Sequence, residues 1–270
     1  MKDTSRPSRL LDRWVEALPS KGRYSFTGRE ASDALGMARP AFNRVMGRLS
    51  AENRVARIHR DFYVVVPLEH AAVGIIPPDW FIVDLMRYLG QPFYVALLSA
   101  AGYHGASHQR PQSYQIITDK PVRTRACRGV SIRFFVKKEC SGTPLEQIKG
   151  VTGFLPVSTP EATALDLVRY CRQIGGLGHV LTVLQELGER LSADRLAAAA
   201  TSDNNLTYAQ RLGWLLEQTE FADRAGALQA WLAKRNPLPA RLEPSLPLKR
   251  SIHDMRWNLW LNTAVEGDLS

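Results

Sequence analysis

The stretch from Thr27 to Val66 constrains this chain most, because it carries start, stop and face signals for two short helices and a hairpin in order. Thr27 followed by Glu30 is a capping-box pattern, in which the hydroxyl accepts an early backbone N–H of the helix. Ala31, Ala34 and Leu35 then fall at helical spacing, so Thr27–Leu35 reads as a helix. Gly36-Met37-Ala38 reads as a tight turn. Arg39-Pro40 opens a second helix at a place where the missing proline N–H leaves no helical bond unmade. Phe42, Val45, Met46 and Leu49 recur three and four apart and so share one buried face. Asn43, Arg44 and Gly47 point away from that face, with Arg39 at the N-terminus and Arg48 on the flank. Arg54–Ile58 and Phe62–Val66 are β-prone runs around His59-Arg60-Asp61, which reads as a hairpin turn.

That order predicts a winged helix-turn-helix, whose second helix enters a DNA major groove with its N-terminal residues at the base edges. Arginine suits guanine and asparagine suits adenine, so Arg39, Asn43, Arg44 and Arg48 are the candidate base readers. Arg57, His59 and Arg60 are the candidate contacts of the hairpin tip with phosphate or minor groove. The expected partner is double-stranded DNA carrying an inverted-repeat operator.

Charge is distributed unevenly. The chain has 270 residues, a formal net charge of +9 and a pI of about 9.7. Residues 1–66 hold 13 Lys or Arg against 7 Asp or Glu, a net of +6, and the remaining 204 residues carry only +3. A basic first quarter favours a nucleic-acid-binding module there, although an acidic protein partner would answer to the same charge.

The fold class expected is α/β (α+β): the winged helix over 1–66, a linker over 67–78, and a larger mixed domain over 79–270. Ser5 or Ser8 caps a first helix to about Leu18, with Leu10, Leu11, Trp14, Val15 and Leu18 as its apolar face. Pro67 and Ile75-Ile76-Pro77-Pro78 mark a semi-rigid linker. Beyond it, Trp80–Leu89 reads as an amphipathic helix and Tyr94–Tyr103 as a buried one. Ser113–Thr118, Val122–Ala126, Val130–Val136 and Thr152–Val157 read as strands of a small sheet. Arg110, Lys120, Arg123, Arg125, Arg128, Arg133, Lys137 and Lys138 decorate it, either as a solubilising face or as further surface for DNA or an acidic partner. Ser158-Thr159-Pro160-Glu161 reads as a capped helix start. After Gly175-Gly176 the chain is mainly helical to about Asn236, over 177–187, 192–200, 207–218 and 222–234. The Pro-punctuated tail holds a run at Trp257–Leu261 suited to one more strand or to packing across the domain.

Signals for other classes are missing. The sequence holds no G-x-x-x-x-G-K-[ST], no strand-linked G-x-G-x-x-G and no G-x-S-x-G, and no E-x-K follows Asp119-Lys120. No enzymatic activity and no cofactor are expected. Cys127, Cys140 and Cys171 have no zinc spacing, and His104 and His108 lack the glutamate of a metalloprotease pair, so no metal is expected either. The sparse, odd cysteine count suits a reducing cytosol. No signal peptide and no apolar run of membrane-spanning length are seen, so a cytoplasmic protein with no membrane partner is expected.

Several stretches together resemble a known family. They are Phe93–Ala101; His104-Gly105-Ala106 with Gln109-Arg110-Pro111-Gln112; Val157–Leu167; Gly175-Gly176-Leu177; and Gln210-Arg211-Leu212-Gly213-Trp214-Leu215-Leu216-Glu217. With the basic N-terminal module before them, they resemble the AbiEi antitoxins of type IV, abortive-infection toxin–antitoxin systems, from about Leu10 to Leu269. The resemblance implies a repressor of its own operon and an antidote to a nucleotidyltransferase toxin of the AbiEii type, in defence against phage. Where that family's wing turn often carries glycine, this chain has Asp61, which places a negative charge beside the candidate phosphate contacts. A second reading stays open, in which the chain is a protein-interaction module or a stand-alone regulator with no toxin partner. A third is a DNA-processing enzyme built on the sheet.

Overall fold

The computed structural model of this chain describes residues 5–106, 112–123 and 125–267, and the side chains of 5–7 and 125 are not described. The motif residues Gln109-Arg110-Pro111 and the histidine at 108 lie outside the described residues. The chain divides into two compact units. The first is Met1–Phe93, Gln112–Lys138 and Gln147–Leu155, and the second is Tyr94–Pro111, Glu139–Glu146 and Pro156–Ser270.

The first unit begins with α1 (Ser5–Glu16), β1 (Ser25–Thr27), α2 (Gly28–Leu35), α3 (Arg39–Ala51), β2 (Val55–His59) and β3 (Phe62–Val65). Thr27 is the N-cap of α2, its hydroxyl accepting from Glu30 N at 3.0 Å, and Gly36 closes that helix with a left-handed φ of 59°. Proline sits in the first turn of α3, and Phe42, Val45, Met46 and Leu49 are its buried residues. They pack with Leu11, Val15, Leu18, Phe26, Ala31, Val55, Tyr63 and Val65 in one core. Each such fully buried apolar side chain contributes roughly 1.5–3 kcal/mol relative to exposure. Leu10 is 45% exposed and Ala34 also faces solvent, so the apolar faces of α1 and α2 are narrower than their spacing predicts. Strand β1 carries too short a pattern to be read from sequence. It pairs antiparallel with β3, which also pairs with β2, giving the order β1-β3-β2.

Helix α4 (Ile82–Leu89) follows, two residues later than the Trp80 start predicted, because Pro78–Trp80 forms a separate 3-10 turn. The Tyr94–Tyr103 run is not one helix. It is β4 (Phe93–Val95) followed by α5 (Leu97–Tyr103), with Leu97 at a φ of 56°. A continuous apolar run has no period that separates a buried strand from a buried helix.

In the first unit β5 (Tyr114–Thr118), β6 (Arg125–Cys127) and β7 (Val130–Val136) lie in the order β6-β7-β5. β5 runs parallel to β7, and β6 forms an antiparallel hairpin with it. β6 starts three residues later than predicted, because the hairpin register is set by its turn at Arg128-Gly129, with φ of 48° and 83°. β8 (Leu145–Gly150) has a half-polar pattern and was not expected, while β9 (Gly153–Ser158) was.

The second unit is built on α6 (Pro160–Arg169), whose residues from Pro160 to Val168 are all buried. Against it pack α5, α7 (Gly176–Leu187), α8 (Ala193–Asp203) and α9 (Leu206–Glu217). The N-cap of α6 is Thr159, not Ser158, whose hydroxyl instead bonds Thr163 Oγ1 at 2.7 Å. Ser158 closes β9, so its backbone is committed to a strand. β4 and β9 run parallel through Val95 and Val157. Helix α10 (Gly226–Ala233) precedes the tail, which forms β10 (Ala240–Arg241), β11 (Ile252–Asp254) and β12 (Leu259–Leu261) in the order β10-β12-β11.

Candidate nucleic-acid interface

Helix α3 presents its polar face as its spacing requires. Asn43, Arg44 and Gly47 are exposed, opposite the buried Phe42, Val45, Met46 and Leu49. Neither Asn43 nor Arg44 makes a side-chain hydrogen bond or ion pair within the described chain. Two guanidiniums are therefore treated differently from Arg44. Arg48 donates to Asp12 at 2.5 Å, to both Glu52 oxygens at 3.0 and 3.1 Å, and to Ser8 Oγ at 3.2 Å. It fastens α3 to α1. Arg39 pairs with Asp61 and lies 5.4 Å from the Phe42 ring centroid. The hydrogen bond to Asp61 raises the Arg39 guanidinium above its ordinary value.

Asp61 is the left-handed residue of the β2–β3 turn, with a φ of 63°. Its carboxylate also accepts Arg29 N at 3.1 Å, and its carbonyl accepts Gly28 N at 3.0 Å. A Cβ at Gly28 would press on Asp61, Phe42 and Arg39, so glycine permits this close approach. The hairpin is thereby locked to the start of α2 and to the start of α3.

The rest of the hairpin tip is also placed by contacts. Arg57 and Arg60 are exposed. His59 is half-buried, its ring 5.9 Å from that of Tyr88 on α4. Tyr88 Oη donates to Arg60 O at 2.9 Å. A register shift between Arg57 and His59 marks a bulge in β2.

The residue that sequence reasoning overlooked is Arg128, placed there among the sheet's surface charges. It donates to Asn53 Oδ1 at 2.6 Å, Gly74 O at 2.9 Å, and Ser50 O and Oγ at 2.6 and 3.3 Å. It therefore holds the C-terminal end of α3, where carbonyls lack helical partners. The signal present in the sequence was Arg128-Gly129, a hairpin turn pair, but its target lies 75–78 residues away. Of the other sheet cations, Lys120, Arg123 and Lys138 are exposed, Lys137 is buried and Arg133 lies over Phe135.

Residues 94–218 match the family described as the AbiEi antitoxin C-terminal domain. That match supports an AbiEi-family antitoxin. Among solved structures, the RV2827C protein from Mycobacterium tuberculosis has the same fold, with a TM-score of 0.66 at 18% identity over 93% of this chain and 91% of that one. No curated protein sequence matches. The AbiEi match supports a toxin–antitoxin role and a regulator rather than an enzyme. No described helix is long and apolar enough to cross a membrane.

Within the AbiEi domain the motif residues have identifiable work. Tyr94 Oη donates to Asp166 Oδ2 at 2.8 Å, and burial raises the tyrosine well above its ordinary value. His104 Nε2 bonds Ser158 O at 2.7 Å. Glu161, 1% exposed, accepts Ser192 N at 2.9 Å and Arg195 Nε at 3.0 Å. Gln210 Nε2 donates to Leu238 O, Trp257 O and Asn258 O at 3.0–3.1 Å, tying the tail to α9. Gly213 leaves room for the Trp257 ring. These are the contacts a packed helical domain requires, and Arg211 of the last motif lines a cavity.

Proposed function

We propose that this protein is a DNA-binding repressor of its own operon and the antitoxin of a type IV toxin–antitoxin phage-defence system, acting against a nucleotidyltransferase toxin in the cytoplasm. The observation that carries the DNA half is an α3 with Asn43 and Arg44 exposed and unengaged beside a basic hairpin. The family match over residues 94–218 supports the antitoxin half. The element order of residues 5–65 and the sheet order β1-β3-β2 support a winged helix-turn-helix. Asn43 and Arg44 read base edges. Arg57 and Arg60 meet phosphates, with His59 beside them. Arg39 reaches the DNA after parting from Asp61, and Arg48 positions α3 from behind.

The test is fluorescence anisotropy with DNA from upstream of the gene and a shuffled control, at two salt concentrations. Arg44→Ala weakens binding to the upstream DNA by about 1–3 kcal/mol and leaves the shuffled DNA less affected. Arg48→Ala lowers thermal stability, by about 1 kcal/mol, more than it lowers preference between the two DNAs. Equal, steeply salt-dependent binding to both DNAs would reduce the basic charge to a non-specific footprint. For the antitoxin half, co-expression with a nucleotidyltransferase encoded beside the gene restores growth. A chain that binds its operator and rescues nothing is a stand-alone regulator.

A further inference from the structure

The second unit contains a cavity of about 550 Å³, lined among others by Arg169, Tyr170, Arg172, Tyr208 and Arg211. That size lies within the range of small-molecule sites, roughly 300–1,000 Å³. The three guanidiniums are not equivalent. Arg169 donates from Nη2 to both oxygens of Asp203 at 2.7 and 2.8 Å, so its charge is matched. Arg211 is only 8% exposed, yet among the described residues its sole hydrogen bond runs from Nε to Arg241 O at 2.9 Å. Its guanidinium also lies 5.8 Å from the Tyr208 ring centroid. No carboxylate is within ion-pair distance of it among the described residues. Glu243 acts on both Arg211 and Arg172 through space, and its Oε1 accepts from Ser245 N and Oγ at 3.0 and 2.6 Å. Burial pulls the Arg211 guanidinium below its ordinary value, outweighing the opposing influence of Tyr208, Cys171 and Glu243. Arg172, on the same wall, is exposed and has no ion pair among the described residues.

An arginine held this deep without a carboxylate gains most from a ligand that brings the missing negative charge. Its neighbours narrow the choice. Arg172 and Arg211 come from two different helical segments of the wall, the 171–173 turn and α9. Donors from several directions suit a tetrahedral oxyanion better than a planar carboxylate, which one guanidinium fork would satisfy. We propose that this cavity is a binding site for a phosphate-class anion, held by Arg172 and Arg211, with space for a phosphorylated small molecule.

The experiment is isothermal titration of the full chain with inorganic phosphate, pyrophosphate and adenosine triphosphate. Saturable binding of at least one is expected. Arg172→Gln weakens it about tenfold, as for loss of a charged hydrogen bond, and Arg211→Gln weakens it further. Lys21→Gln, an exposed charge removed from the first unit, leaves it unchanged. Should Arg211→Gln fail to fold, Arg172→Gln decides, since its side chain bonds nothing in the described chain. Tighter binding of adenosine triphosphate than of pyrophosphate makes the ligand an organic phosphate, and equal binding makes it the inorganic ion; both support the site. No saturable heat with any probe, or equal weakening by Arg172→Gln and Lys21→Gln, overturns it.

Discussion

Arg39 at the start of α3 is ion-paired with Asp61 in the β2–β3 turn, so a candidate DNA-reading cation is held by a carboxylate of the hairpin beside it. The same carboxylate accepts Arg29 N, which makes Asp61 both a structural clasp and a local negative charge at the basic face. Any DNA phosphate near Arg39 competes with Asp61 for that guanidinium.

Asp61→Asn separates these roles. Asparagine tolerates the left-handed turn and keeps an acceptor for Arg29 N, but removes the charge. Non-specific DNA binding is expected to tighten, and the salt dependence to steepen by about one counterion. Anisotropy titrations at several salt concentrations measure this. An unchanged slope would show that Arg39 stays with Asp61 or lies outside the footprint.

Arg128→Lys tests the clamp on α3. Lysine keeps the charge but has no planar fork to span Ser50, Asn53 and Gly74 together. Loss of charged hydrogen bonds at a half-buried site costs about 1–3 kcal/mol. Faster amide exchange in the last turn of α3 is expected, with weaker operator binding. Wild-type protection at Ser50–Asn53 would mean that the helix end holds without the clamp.

Gly213→Ala is expected to destabilise the second unit by about 1–3 kcal/mol, the usual range for overpacking. Its Cβ would enter the space of the Trp257 ring, which is itself buried. Calorimetry gives the loss, and a red-shifted tryptophan emission reports that Trp257 has been displaced. Unchanged melting and emission would count against the packing role.

Alkaline stability should depend on Tyr170. Burial, and then the nearby Asp166 charge, raise its hydroxyl above the ordinary value of 10.0. Once pH exceeds 10.0, the unfolded chain releases this proton while the folded chain retains it, so stability falls as pH rises further. Tyr170→Phe removes that contribution, and a shallower decline in melting temperature above pH 10.0 is expected. An identical decline would place the alkaline sensitivity elsewhere.

Local signals carried most of the helical elements. The Thr27 cap, the Gly36 stop, Pro40 in the first turn and the Phe42–Leu49 spacing all act within one or two helical turns, and the helices they predict are present. The run from Phe93 to Tyr103 was not legible in the same way, because uniform burial erases the period that separates strand from helix. Which residue caps α6 was not legible either: Ser and Thr are both good caps, and only the strand register commits Ser158 to β9 and leaves Thr159 to cap α6. Strand β1 exists through its pairing with β3, and three residues have no pattern of their own to read.

By itself the sequence determined which face of α3 is apolar, where α2, α3, α6 and α9 begin to within a residue or two, and that positive charge concentrates in the first quarter. These properties follow from neighbours along the chain. The tertiary structure alone decided how the cations divide: Arg48 to Asp12, Arg39 to Asp61, Arg128 to the end of α3, Arg44 to solvent, and Arg211 to a cavity wall without a carboxylate. A guanidinium's role is set by what lies within about 3 Å of its nitrogens. Those partners stand 22 to 78 residues away along the chain, a separation across which no local pattern reaches.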